Sequence, residues 1–204
     1  EGSALRVWKC DYQKPPYEPG EWRYALTLRK GCRNILVENL RMLQSGGDGI
    51  GVSGTDITIR NCVCDGNHRQ GMSVFSAENL LVENCVFSNT SGTAPQAGVD
   101  LEPNHSYQKL KNIVFRNCVS CGNTGAGFLT CLIQQTGESA PVGITFENCR
   151  SWGNRQDAYV AFRTAVGIRQ VTGLVRYANC AFGPSKEAAV KLQSLPGDGF
   201  DVRF

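Results

Sequence analysis

Apolar and polar residues alternate along this chain in short runs, and the runs recur. Five segments share one pattern: Asn34-Ile-Leu-Val-Glu-Asn39, Asp56-Ile-Thr-Ile-Arg-Asn61, Asn79-Leu-Leu-Val-Glu-Asn84, Asn112-Ile-Val-Phe-Arg-Asn117 and Gly143-Ile-Thr-Phe-Glu-Asn148. Gly173-Leu-Val-Arg-Tyr-Ala-Asn179 is a degenerate copy. An apolar stub and a turn follow, as in Cys62-Val-Cys-Asp-Gly-Asn67 and Cys118-Val-Ser-Cys-Gly-Asn123. A third stretch opens on a small residue: Gly49-Ile-Gly-Val, Gly71-Met-Ser-Val, Gly98-Val-Asp-Leu, Gly127-Phe-Leu-Thr, Ala158-Tyr-Val-Ala and Ala189-Val-Lys-Leu. The closing asparagines lie 22, 23, 33, 31 and 31 residues apart. Period-two alternation with no helical period predicts three short strands per repeat, stacked as a parallel solenoid.

Of 14 asparagines, 13 fall at repeat positions. Six close the first strand, four sit at the next turn and three open the strand. Asn tolerates left-handed backbone, and its amide can bond a stacked copy of itself, so a corner-holding asparagine ladder is expected. Cys62, Cys85, Cys118, Cys149 and Cys180 each follow a closing asparagine, where the first copy has Leu40. Alternation points them inward as small stacked hydrophobes. The ten cysteines therefore read mainly as free core thiols, with no ligand set at zinc-finger spacing.

The 204 residues suit one domain, expected as a single β-helix over residues 1–204. Residues 1–24 read as a partial first rung and a Pro-rich loop, and 25–204 as about six to seven rungs of roughly 22 or more residues. A net charge of +3 leaves no nucleic-acid footprint. No apolar run is long enough to span a membrane. Glu1-Gly2-Ser3-Ala4 has no signal-peptide character. Neither end carries a clear cap. Either the chain is a fragment of a longer protein or its terminal rungs self-associate.

The repeat resembles the right-handed parallel β-helix of the pectate-lyase-like superfamily from about Ala25 onward. Asp48-Gly-Ile and Asn67-His-Arg-Gln-Gly-Met-Ser-Val-Phe-Ser-Ala-Glu-Asn-Leu look like rungs of bacterial β-helix repeat proteins and of the mannuronan epimerase catalytic module. Gly92-Thr-Ala-Pro-Gln-Ala-Gly-Val-Asp-Leu-Glu-Pro-Asn104 looks like a motif of the former. The resemblance implies an all-β fold, a polysaccharide or oligosaccharide partner and a secreted or periplasmic location. It spans lyases, hydrolases, epimerases and depolymerases. The epimerase Asp-Pro-His-Glu motif and the polygalacturonase aspartates are absent.

Aligning the third strands at their small residue predicts an inward row Leu26, Ile50, Met72, Val99, Phe128, Tyr159 and Val190. The outward row is Thr27, Gly51, Ser73, Asp100, Leu129, Val160 and Lys191. Glu102 and Phe75 share the next outward row, with Phe162. Asp100 and Glu102 then lie on one strand about 6.6–7 Å apart. Asp48, Arg69 and His68 border them from the rungs below. The segments 90–96, 104–111 and 134–141 lengthen these turns and are expected to wall a cleft. Asp100, Glu102, Asp48, Arg69 and His68 are the candidate catalytic residues, and Phe75, Arg29, His105 and Asn104 the candidate substrate contacts.

Two readings of the chemistry stand. Paired carboxylates can work as acid and base on a glycosidic bond. Alternatively, Asp100 and Glu102 hold Ca²⁺ against a uronate while Arg69 or His68 takes the neighbouring proton, as in a lyase or epimerase. Against both stands a solvated acidic patch paired as Asp48–Arg69 or Glu102–Arg29, or a non-catalytic glycan-binding or structural module.

Overall fold

The computed structural model describes residues 20–163, 170–195 and 198–204. The expected partial first rung, within residues 1–19, lies outside them. Every strand pairing is parallel. Leu26–Glu38, Ile50–Arg60 and Met72–Glu83 each run unbroken over two faces of the solenoid. Register shifts between Leu28 and Cys32 and between Val52 and Ser53 provide the bend between those faces. At the next turn the inserted loop separates Val99–Leu101 from Leu110–Arg116, yet both still pair with Met72–Glu83. The third face is a sheet of short strands from Arg41–Leu43 to Ala181–Phe182.

The corners explain the asparagines. Asn39, Asn61, Asn84, Asn117, Asn148 and Asn179 all adopt φ between 52° and 59°. An ordinary side chain is strained in that left-handed region, whereas Asn enters it readily. Amides also bond between turns, Asn112 Nδ2 to Asn79 Oδ1 at 2.9 Å and Asn117 Nδ2 to Asn84 Oδ1 at 3.2 Å. The four asparagines assigned to one further turn divide into two positions. Asn89 shares a positive-φ corner with Gln44, Gly66, Gly122 and Gly153. Asn67, Asn123 and Asn154 are fully buried instead, and each accepts a backbone N–H from a neighbouring turn. Close packing there demands glycine: a Cβ at Gly98 would lie 2.0 Å from Ser120 Oγ and 2.7 Å from Asn123 Nδ2.

The core is a set of inward columns. Val37, Ile59, Val82, Phe115, Phe146 and Tyr177 form one, in register from strand to strand. Its aromatic end stacks face to face, with Phe146–Tyr177 at 4.7 Å and Tyr177–Phe204 at 5.0 Å between centroids. Cys62, Cys85, Cys118 and Cys149 form another buried column, with Cys180 partly buried at its end. All nine described cysteines are free. Burial pushes the Cys64 thiol well above its ordinary value.

One register expectation is corrected. Phe128 pairs with Ala158, not Tyr159, so Ala158 is the core residue and Tyr159 faces outward beneath Lys191. The glycine position of this turn is occupied by Asp157, which accepts Asn154 Nδ2 at 2.9 Å and lies close to Ser151 Oγ. The slip carries Phe162 into the core, where it is 1% exposed and packs edge-on against Phe200 at 4.7 Å.

Outside, Glu38, Arg60, Glu83, Arg116 and Glu147 form one alternating column. Ion pairs within it include Arg60–Glu38 at 2.7 Å, Arg116–Glu83 at 3.5 Å and Arg116–Glu147 at 2.9 Å. Shifting one strand by a residue would break this alternation and turn its core residues outward, so the column reinforces the register. Arg116→Glu would set three like charges in a row. We expect a lower melting temperature, with a deficit that shrinks as NaCl screens the column, measurable by thermal denaturation across an ionic-strength series.

Candidate functional site

The expected cluster assembles around Arg69. Asp48 and Arg69 lie in the turns leading into Ile50–Arg60 and Met72–Glu83. Asp100 sits beside Ser73 on the adjoining strand, in direct register. Arg69 Nη1 contacts Asp48 Oδ2 at 3.3 Å, and Nη2 contacts Glu102 Oε1 at 3.0 Å. Its Nε lies 3.5 Å from Glu21 Oε1. Ser73 Oγ donates to Asp48 Oδ2 at 2.7 Å, and Gln70 Nε2 donates to Asp100 Oδ2 at 2.7 Å. The other end of the Gln70 amide accepts the Ala97 N–H at 3.0 Å, which fixes its orientation.

Burial differs from the open cleft expected. Asp48 is 0% exposed, Asp100 1% and Arg69 7%, and Glu102 is only partly buried. Strand alternation does turn Asp100 outward, but neighbouring side chains and loops cover it. Burial pushes Asp100 well above the usual carboxylate range, and Glu102 adds to that by repulsion. Glu102 is also raised by burial, although Arg69 pulls it back. Asp100 Oδ1 is buried without a hydrogen-bond partner, which also favours the protonated carboxyl. Burial likewise raises Asp48 to about 6 against the opposing pull of Arg69. One guanidinium faces Asp48, Glu102 and the exposed Glu21, so holding protons at low-dielectric carboxyls is the economical way to limit buried charge.

Tyr24 and Phe75 cover the neighbouring surface, their rings 6.3 Å apart and nearly perpendicular at 82°. Gly51 makes room for them, since a Cβ there would lie 2.9 Å from the Tyr24 ring. Phe75 is the residue inserted by the bulge, level with Glu102. The remaining candidates are placed elsewhere. His68 Nε2 lies 2.9 Å from Thr93 Oγ1, and its carbonyl accepts the Thr93 N–H at 3.0 Å, which ties it to the 90–96 loop. His105 is exposed and stacks on Tyr107 at 5.0 Å and 8°. Asn104 is exposed, its backbone N–H bonded to Gln108 Oε1. Arg29 is exposed, and the cation on Glu102 is Arg69.

Calcium does not fit this donor set. Of the Asp100–Glu102 pair expected to hold it, Glu102 is already engaged by the Arg69 guanidinium at 3.0 Å and Asp100 is pushed by burial toward its protonated form. Among the described residues no three His, Cys, Asp or Glu side chains come together to hold a metal.

Tyr24, Glu21, Gln70, Ser73 and Cys131 complete the neighbourhood and were not candidates from sequence. Cys131 is pushed up to about 11 by burial, with Asp100 adding to the effect. Gln70 and Ser73 carried a usable signal, since both occupy outward-facing repeat rows beside the carboxylates. Glu21 precedes the first full repeat and carried none.

Parallel, in-register pairing and this curled stack define a right-handed parallel β-helix. Residues 21–173 match the family described as the right handed beta helix region, and the chain belongs to it. It is similar to the uncharacterized protein YclG of Bacillus subtilis (strain 168), at 26% identity over 125 residues, covering 52% of this chain and 21% of that protein. It is also similar to the SPbeta prophage-derived uncharacterized protein YorA of the same organism, at 28% identity over 98 residues, covering 40% of this chain and 17% of that protein. Each match thus spans about a fifth of the relative's length. Among solved structures it is similar to tailspike protein gp49 of the Acinetobacter baumannii bacteriophage Fri1, described as a capsular polysaccharide depolymerase. That likeness has a TM-score of 0.51 at 17% identity and covers 88% of this chain and 41% of the tailspike, which speaks to the fold.

The raised carboxyl at Asp48 has a pH consequence. A folded value of about 6 against 3.8 unfolded means that the native state binds the proton more tightly. This contribution is fully present below pH 3.8 and is lost as pH rises through about 6. Asp48→Asn removes the titration. Its stability relative to wild type should therefore improve between about pH 4 and pH 7, by about 3 kcal/mol at most. Urea unfolding of both proteins across that range measures it.

Proposed function

We propose that this chain is a carbohydrate-active β-helix protein acting on a polysaccharide, with Glu102 as its proton-transfer group. The observation that carries the reading is the part-buried Glu102 beside the buried Asp100, both raised by burial, with a buried arginine 3.0 Å from Glu102. Glu102 is the member that a substrate can reach. Asp100 sits behind it as a positioning residue and proton reservoir, oriented by Gln70. Arg69 compensates the charge when Glu102 gives up its proton. General acid–base catalysis of this kind contributes about 10²–10⁴-fold to rate. The Tyr24 and Phe75 rings supply apolar surface for a sugar beside it. The tailspike described as a depolymerase gives a β-helix precedent for this class of substrate.

Glycosidases that use two carboxylates hold them about 5–9.5 Å apart across the bond they cleave. Here only Glu102 of the two is part-exposed, since Asp100 is 1% exposed. Acid–base work at one carboxyl, as in a uronate lyase or epimerase, therefore suits this site better than hydrolysis by a flanking pair. A second reading is a non-catalytic glycan-binding or structural module. The mutual pairing of Asp48, Arg69 and Glu102 favours it, because these charges already compensate one another without a substrate.

Incubation with uronic-acid and neutral polysaccharides separates these readings. New ultraviolet absorbance from unsaturated ends marks a lyase, and reducing ends without it mark a hydrolase. Glu102→Gln should lower kcat by about 10²-fold or more while leaving the circular dichroism and melting temperature near wild type. Full activity in that variant would refute the role of Glu102. Binding without turnover across the panel would favour the non-catalytic module.

A further inference from the structure

We infer that a second groove, beyond Phe75, binds an anionic sugar unit of the same polymer; this rests on the polysaccharide reading above and names its substrate class. The groove has a volume of about 450 Å³ and is lined on its rim by Lys30, Arg33, Lys109, Glu78 and Tyr107. Its small lining residues include Gly31, Gly54, Ser53 and Ser76. The register shift between Leu28 and Cys32 lies at this groove and inserts residues that include Lys30, while Arg33 follows it in register with Thr55.

Three cations face one carboxylate in this groove. That carboxylate, Glu78, is already engaged by Lys111 at 2.8 Å and Lys109 at 3.6 Å, and the Lys111 ammonium lowers its pKa. Lys30 and Arg33 have no carboxylate partner among the described residues. An unbalanced pair of cations around a hollow lined by glycine and serine recognises an anion with hydroxyl groups around it. Tyr107 adds the other half of sugar recognition. It is 70% exposed, yet its ring is braced against His105 at 5.0 Å, so one aromatic face is offered to solvent in a fixed orientation. The arm carrying it is pinned, since Ser76 Oγ accepts the Lys109 N–H at 3.0 Å and Gln135 Nε2 donates to the His105 carbonyl at 3.0 Å.

The placement links groove and cluster. Ser73, which bonds Asp48, and Ser76, in the groove lining, belong to the same strand, about 10 Å apart, with Phe75 between them. A chain of sugars crossing Phe75 reaches Glu102 with one unit and Lys30 and Arg33 with another. The acidic unit is thus bound away from the reacting bond, and its charge sets affinity instead of rate.

Titration calorimetry with oligogalacturonate, and with the same oligomer after reduction of its carboxyls, tests this. The acidic oligomer should bind and the reduced one should bind on the order of tenfold more weakly, with the difference fading in high salt. The double variant Lys30→Gln/Arg33→Gln should lose on the order of tenfold in affinity for the acidic oligomer, and Tyr107→Ala severalfold for both. Lys30 and Arg33 are exposed, so the folding of the double variant is checked simply by its melting temperature. Unchanged affinity in the double variant, equal binding of the two oligomers, or no binding of either overturns the inference. Glu102→Gln keeps this affinity. Loss of turnover there with binding intact supports both ideas, whereas full turnover with a groove-dependent affinity removes the role of Glu102 and leaves the groove standing.

Discussion

The structure depends on one constraint: each turn must close on the same left-handed corner at the same height as the turn below. A residue at φ near 55° reverses the chain without leaving the hydrogen-bonding plane of its neighbours, and six closing asparagines repeat it almost identically. Once the corners stack, the rest follows from alternation. Each inward residue lands on its counterpart one strand spacing away, and each outward residue does the same. The aromatic column from Phe115 to Phe204 and the thiol column are both products of that registry, not independent packing solutions.

The same registry explains how charge comes to be buried on an outward face. Ser73 and Asp100 are paired on adjacent strands, and Gln70 is aligned with Ala97 at the position just before them. A solvated outward row would leave these groups in water. Here they pack against one another and against Glu21 and Tyr24, so polar groups selected by alternation for solvent are held in low dielectric. That combination, outward geometry with inward burial, raises Asp48 and Asp100 and forces their hydrogen bonds to be internal. The Glu38–Arg60–Glu83–Arg116–Glu147 column is the contrasting case. It is half-exposed, and its carboxylates and guanidinia pair along the column in register.

The fold was legible because period-two alternation and corner asparagines are local signals repeated many times, so one misreading does little damage. The slip at Ala158 shows the limit. A small residue was aligned with the glycine position, but Asp157 fits there because it accepts hydrogen bonds from Asn154 and Ser151, an interaction no small-residue rule encodes. The proximity of Asp48, Arg69, Asp100 and Glu102 was also legible, since it follows from register. Burial was not. Exposure at these positions depends on loop conformation and on Tyr24 and Glu21 in a segment without repeat character, and alternation is silent about both. For the same reason Arg29 was a plausible partner for Glu102 by row, while the side chain that reaches it is Arg69.

These differences in legibility bear on the chemistry. Had the carboxylates been solvated at their strand spacing, they would have been two independent acids, suited to flanking a bond or holding a cation. Buried together with a single guanidinium, both are pushed toward the protonated form, the deeper Asp100 more strongly. A divalent ion would have to displace Arg69 from contacts at 3.0 and 3.3 Å and strip the proton from Asp100, which burial strongly resists. A part-exposed carboxyl backed by a buried one is instead suited, on the proposed reading, to giving and retrieving a proton at a fixed point. Charge recognition of a polymer is then best done elsewhere, by cations not already neutralised by carboxylates. The groove with Lys30 and Arg33 is the described surface that meets that condition beside the cluster.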